Sequence, residues 1–192
     1  MHKLTRFWPL FLFIPILVLL GMAGKGPSPA FVSSELTVEI SDASLTFIDS
    51  NGDMVPEPNE TWLVKGRVTQ IDGQPGSGTF YCWGAFLDEE VGSPAGFTAY
   101  IQRIQIDGQG TLVMSGAEMG SEPMVLLGGT GKFLGATGSY TDGPMFEGND
   151  VDGDGEPEMA GLPIGVDLDG DGDNDGDGRL VKNFDILLPQ VY

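Results

Sequence analysis

The chain of 192 residues has one cysteine, Cys82, and one histidine, His2. A single cysteine excludes an intrachain disulfide and a cysteine-built zinc site. A single histidine, two residues from the start, excludes a Ser-His-Asp or Cys-His nucleophilic site and a multi-histidine metal centre. Basic residues are also scarce: 9 lysines and arginines face 28 acids, for a net charge of −19. That balance excludes nucleic acid as a partner and opposes docking on anionic lipid, because phosphates are repelled. Helical periodicity is nearly absent. The length suits one domain, and 41% hydrophobic content is enough for a modest core.

The first 23 residues differ from the rest. Lys3 and Arg6 give a positive start, and Phe7 to Leu20 is apolar, interrupted only by Pro9 and Pro15. Gly21 and Ala23 put small residues at −3 and −1 of a cut before Gly24. A spanning helix needs about 20 apolar residues. This run is shorter, and the two prolines oppose a long helix. Residues 1–23 therefore read as a signal peptide. The expectation is a secreted or extracytoplasmic protein with no stable membrane insertion after cleavage; the alternative is an uncleaved N-terminal membrane anchor. Residues 24–34, beginning GKGPSPA, read as a linker, and 35–192 as the folded domain.

What the domain contains is short β-type runs closed by glycine, proline, Asn or Asp. The expected strands are 35–40, 45–48, 61–70, 78–87, 96–106, 111–114, 124–127, 133–140 and 183–188. Leu36, Val38 and Ile40 alternate with Thr37 and Glu39, as a half-buried strand does. Tyr100, Gln102, Ile104 and Ile106 alternate with Ile101, Arg103 and Gln105. About nine strands of this kind point to an antiparallel barrel or sandwich. Closure into a barrel would remove exposed strand edges.

Residues 125–140 read VLLGGTGKFLGATGSY. A phosphate loop fails here, because Leu126 stands where its first glycine belongs and Phe133 where Ser or Thr is required. The dinucleotide fingerprint fails at Leu134. Strand, glycine turn and strand fit instead. The run from Gly128 to Gly138 resembles the GGTG-(K/R)-(F/Y)-x-G-A-(T/R)-G hairpin of the dirigent and allene oxide cyclase-like barrel family. The resemblance implies an all-β fold: an eight-stranded antiparallel barrel with a hydrophobic cavity. Family activities include cyclisation of fatty-acid epoxides and steering of phenoxy-radical coupling.

The plant cyclase of that family is described as using a pocket carboxylate and a pocket cysteine. Glu39, in LTVEI, and Cys82, in TFYCWGAF, are residues of those types, although neither aligns to a family motif. Tyr81, Trp83, Tyr100 and Arg103 are the other candidates to line a pocket. Packing or an outer-face position is the competing account of all six.

Asp142 to Gly178 has thirteen acids and no lysine or arginine. It reads as a long acidic insertion before a closing strand. Two stretches carry alternating carboxylates with glycine at position 6. The first is Asp150, Asp152, Asp154, Glu156 and Glu158. The second is Asp167, Asp169, Asp171, Asp173 and Asp175, overlapped by a register ending at Asp177. Alternating oxygens around a glycine turn suit a hard divalent cation, and calcium is the expected cofactor. Position 12 has Gly161, Gly178 or Lys182 in place of Glu, and no helices flank the loops, so these are not EF-hands. Solvated disorder is the competing account. A weaker candidate, Asp49-x-Asn51-x-Asp53, has Met54 at position 6 and also reads as a hairpin turn.

The expectation is an exported, calcium-stabilised barrel that binds, or cyclises or isomerises, a small hydrophobic molecule. The rival is a structural or adhesive surface protein with calcium-dependent contacts and no catalysis.

Overall fold

The computed structural model describes residues 30–48, 50, 60–86, 97–116, 123–166 and 173–190, with 47, 86 and 97–100 described as backbone only. The expected signal peptide, most of the linker and the Asp49-x-Asn51-x-Asp53 stretch lie outside these. Ten strands follow in order: β1 (Phe31–Ile48), β2 (Thr61–Ile71), β3 (Gln74–Phe86), β4 (Phe97–Ile106), β5 (Gly110–Gly116), β6 (Met124–Gly131), β7 (Thr137–Asp142), β8 (Phe146–Glu147), β9 (Met159–Ala160) and β10 (Leu180–Pro189). Eight of them close a barrel in the order β1-β10-β7-β6-β5-β4-β3-β2, every pairing antiparallel. The expected all-β barrel with eight strands is the fold observed. Among the described residues no helix is long and apolar enough to cross a membrane.

Period-two alternation builds the interior. On β2, Trp62, Val64 and Val68 are buried while Thr61, Leu63, Lys65 and Arg67 face out. On β4, Gln102, Ile104 and Ile106 are buried between exposed Ile101, Arg103 and Gln105. Phe80 and Cys82 from β3, Met114 from β5, Tyr140 from β7 and Phe184 from β10 complete much of the core.

Several strands are longer than expected, β8 and β9 were not expected, and three boundaries differ for a local reason. β1 begins at Phe31, inside the expected linker, because Phe31 to Ser34 pair with Pro189 to Ile186. The runs at 35–40 and 45–48 are one strand, offset by a register shift between Ser41 and Ser44. Asp42 adopts φ of 54° there and its carboxylate accepts from Arg67 Nε at 2.8 Å. The run expected at 133–140 is a strand only from Thr137, because 132–135 form the turn of the β6–β7 hairpin. Gly131, at φ of 62°, enters that turn, and Phe133 and Ala136 fold back into the core.

The two ends of the barrel are unlike. At one end the connections are short: 72–73, 107–109 and 132–136. At the other lies the insertion between β7 and β10. The described parts of the insertion, 143–166 and 173–178, are folded onto the barrel, where solvated disorder was the competing expectation. Ile164 exchanges backbone hydrogen bonds with Ala43 and Leu45, and Gly178 accepts from Ala43 N–H at 2.9 Å. Ala160, Leu162 and Val166 bury its apolar side, and β8 pairs with β9 within it.

Candidate ligand site and acidic loops

Lys182 is the one basic side chain among the described buried residues, with 3% of the side chain exposed. It sits in phase with Leu180, Phe184 and Ile186 on β10, so alternation carries it into the barrel. Its ammonium lies 5.6 Å from the Phe80 ring centroid and 5.9 Å from that of Tyr140. Its cross-strand partner is Asp142, the last residue of β7, whose carboxylate Oδ1 accepts from Nζ. Asp142 is 29% exposed on its side chain, so the pair spans from interior to rim. A buried ammonium is stable only with a compensating charge or well-placed acceptors, and Asp142 and the two ring faces supply these.

The pair marks the place where the insertion leaves and rejoins the barrel. Gly143 N–H bonds to Val181 O at 2.8 Å, one residue beyond the pair. A cleft of about 30 Å³ adjoins it, with walls that include Asp142, Lys182, Arg179 and Phe146. Arg179 is itself paired: Asp177 Oδ1 accepts its backbone N–H at 2.9 Å, Asp177 Oδ2 accepts from its Nε, and its guanidinium lies 5.3 Å from the Phe146 ring centroid.

Of the six residues expected to line a pocket, Cys82 faces inward and is fully buried. Tyr81 and Glu39 fall on the outward phase of their strands, half-buried, while Trp83 and Arg103 are exposed there. The Arg103 side chain donates to Gln105 on the same outer face, at 3.3 Å. The side chain of Tyr100 lies outside the described set. Asp142 and Lys182 were the residues missed. Lys182 had a readable signal, since it stands in phase with buried apolar neighbours.

The first acidic loop brings its carboxylates together. Oxygens of Asp150, Asp152 and Glu158 all lie within 4.8 Å of one another. Asp150 accepts from Gly153 N–H at 2.6 Å and from Gly155 N–H at 3.2 Å, which wraps the chain around it. Glu158 is buried and accepts from Val151 N–H, at 2.8 Å to Oε2, and from Asp152 N–H, at 3.2 Å. Asp154 accepts from Glu156 N–H at 2.7 Å, while the Glu156 side chain is exposed. Asp167, Asp169 and Asp171 lie outside the described residues. Asp173 belongs to the second loop yet feels the first. The Asn174 backbone N–H lowers its carboxyl, but the charges of Asp152 and Asp154, some loss of hydration and a hydrogen bond with Asp154 together hold it above the usual 3.8. Asp175 N–H bonds to Val166 O at 2.8 Å, tying the second loop to the body of the insertion. Asp177 is paired with Arg179 and is not one of the three converging carboxylates.

No protein-family model matches the chain, and no curated protein matches it. Solved structures do. The pterocarpan synthase dirigent protein GePTS1 matches with a TM-score of 0.52 at 13% identity, over 87% of this chain and 91% of that one. The pterocarpan synthase dirigent protein PsPTS1 matches at 0.47 and 14%, over 84% and 97%. A pyocyanin demethylase matches at 0.46 and 14%, over 81% and 99%. At this identity the likeness is one of fold, and the chain has a dirigent-like barrel.

Proposed function

We propose that this barrel binds a small, largely apolar molecule at its loop-bearing end. The observation that carries the reading is a buried cation, Lys182, in an otherwise apolar interior, paired with a carboxylate at the rim. Small-molecule sites combine apolar walls with a few placed polar groups, and an eight-stranded barrel has the width to hold one small ligand. Long connections gathered at one end of a rigid scaffold are where such sites are built. Binding is proposed ahead of cyclisation or isomerisation because Lys182 and Asp142 neutralise each other at rest. Native mass spectrometry of the purified protein tests this. A stoichiometric bound small molecule, lost on unfolding, is the expected result; a ligand-free protein that also ignores an apolar probe library would sink it.

We also propose export through residues 1–23, checked by the N-terminal residue of the exported chain, expected to be Gly24. The acidic loops support a calcium site as part of the same reading. The donors are all hard oxygens, with Asp150, Asp152 and Glu158 close enough to share one ion and Asp173 adjacent. Calcium bound there would neutralise repelling carboxylates and stabilise the insertion that frames the barrel mouth. The adhesive alternative draws on the same acids, and a protein that self-associates with calcium while ignoring all apolar ligands would favour it.

A further inference from the structure

We propose that copies of this chain associate head to tail, with the outer wall of β2–β4 of one copy seated on the outer wall of β1 and β10 of the next. Both surfaces lie on the outside of the barrel, so the proposal stands apart from the ligand-binding reading above.

Charge is sorted around the barrel wall. Outward positions of β2, β3 and β4 hold Lys65, Arg67 and Arg103 and no acid. Those of β1, β10 and β7 hold Glu35, Glu39 and Asp185 and no base. Arg67 is paired with Asp42, but among the described residues Lys65, Arg103, Glu35 and Asp185 form no ion pair. In barrel order β10 and β4 are four strands apart in both directions, so Asp185 and Arg103 face opposite ways. One molecule cannot bring the two walls together, whereas two molecules can.

Each set of charges has apolar surface beside it. Leu63, Trp83 and Ile101 are successive cross-strand partners on β2, β3 and β4, each 41–43% exposed. The flanking row is Lys65, Tyr81 and Arg103, again in register. Cross-strand partners on one face lie about 5 Å apart, so the three apolar side chains form one patch with the two cations along its edge. Tryptophan, tyrosine and arginine are the residues enriched at interface centres. On the acidic wall Leu187 is exposed two residues along β10 from Asp185, with exposed Phe31 diagonally across on β1.

The acidic wall also carries a like-charge contact. Glu35 and Asp185 are direct cross-strand partners, an arrangement that is destabilising. Cations from outside relieve it, and the second copy offers two that are unpaired. Packing the basic wall on itself would bring like charges together; packing it on the acidic wall matches two bases with two acids. Such a contact joins different surfaces of the two copies and leaves one wall of each kind free, so the assembly can grow beyond a dimer. A patch of this few residues falls short of a permanent interface, which makes the association reversible and sensitive to salt.

The test is analytical ultracentrifugation of the exported chain over a range of concentrations, in EDTA so that calcium cannot bridge acidic loops. The wild type is expected to sediment faster as concentration rises, and about 0.5 M salt should largely remove the effect. Lys65→Glu with Arg103→Glu makes both walls acidic, and Glu35→Lys with Asp185→Lys makes both basic. Each double variant alone should associate about tenfold or more weakly than the wild type. Mixed together, the two should sediment as a complex. Circular dichroism checks the fold of each. If a reversal does not fold, glutamine at the same positions decides, with weaker association expected and unchanged association overturning the proposal. A wild type that stays monomeric at every concentration overturns it. Association that survives both reversals does so too, since a contact made by the apolar row alone would give that result. Failure of the two folded reversal variants to combine is equally fatal.

Discussion

The two ends of this barrel are built on opposite principles. One end is closed by short turns and set by backbone geometry. Gly131 enters the 132–136 turn with a left-handed φ, and Phe133 folds back to fill the interior. The other end is set by charge. Asp142 is matched with Lys182 and Asp177 with Arg179, while Asp150, Asp152, Glu158 and Asp173 are gathered against one another. The first end needs nothing from outside. The second contains charge pairs and gathered acids whose repulsion a cation or protons would relieve.

The sharpest way to break this contrast is at the closed end. Gly138 has φ of 142°, and a Cβ there would collide with the Asp185 carbonyl oxygen on β10. Gly138→Ala is expected to destabilise by about 3 kcal/mol or more, as strain at a special backbone position does. Urea denaturation measures it, and calcium or ligand should not rescue it.

A smaller effect is expected at the mouth. Asp142→Ala removes the carboxylate that is paired with the buried ammonium of Lys182. The cost should be about 2–3 kcal/mol, under the ~3–5 for a fully enclosed pair because water reaches the Asp142 side. Lys182→Met should cost less than Asp142→Ala, since an apolar side chain of similar length suits the interior. The reverse order in chemical denaturation would mean that Asp142 does not stabilise the fold by compensating the Lys182 charge.

Calcium should act only at the mouth. With affinity of about 1 mM and 10 mM calcium, the gain is about 1.4 kcal/mol. That corresponds to a rise in melting temperature of about 3–6 °C for a domain of this size. EDTA should abolish it and magnesium should reproduce little of it. Identical melts in calcium and EDTA would remove the metal from the account.

The smallest effect concerns Asp173. Its folded-state carboxyl is raised, so the folded chain holds the proton more tightly than the unfolded one. Its ionisation therefore costs stability as pH rises through the window just above 3.8, and none of that cost remains once it is protonated. Asp173→Asn should make the calcium-free protein slightly more stable at neutral pH and less responsive to calcium. Differential scanning calorimetry with and without EDTA reads both changes.

Much of the fold was legible in the chain. Leu36, Val38 and Ile40 announced an inward face, and the GGTGKFLGATG run announced a hairpin. Phe133 misled because it continues the apolar pattern, yet the glycines on either side fold it into a turn. The site was less legible. Arg103 and Trp83 drew notice as chemically able residues, but phase turns them outward. Lys182 looked like an ordinary polar residue before a strand, and phase turns it inward. Reading alternation ahead of residue type would have found it.

Composition and periodicity by themselves determined the strand-built class, the exclusion of an intrachain disulfide and of histidine-based sites, and the concentration of acid in one insertion. Those properties are local: they depend on residue type, spacing and turn chemistry within a few positions. Tertiary structure alone decided that Asp142 and Lys182, forty positions apart, face each other across β7 and β10. It also decided that Asp173 stands beside Asp152 and Asp154. Strand register and the docking of the insertion set those distances, and both are settled by packing across the whole barrel.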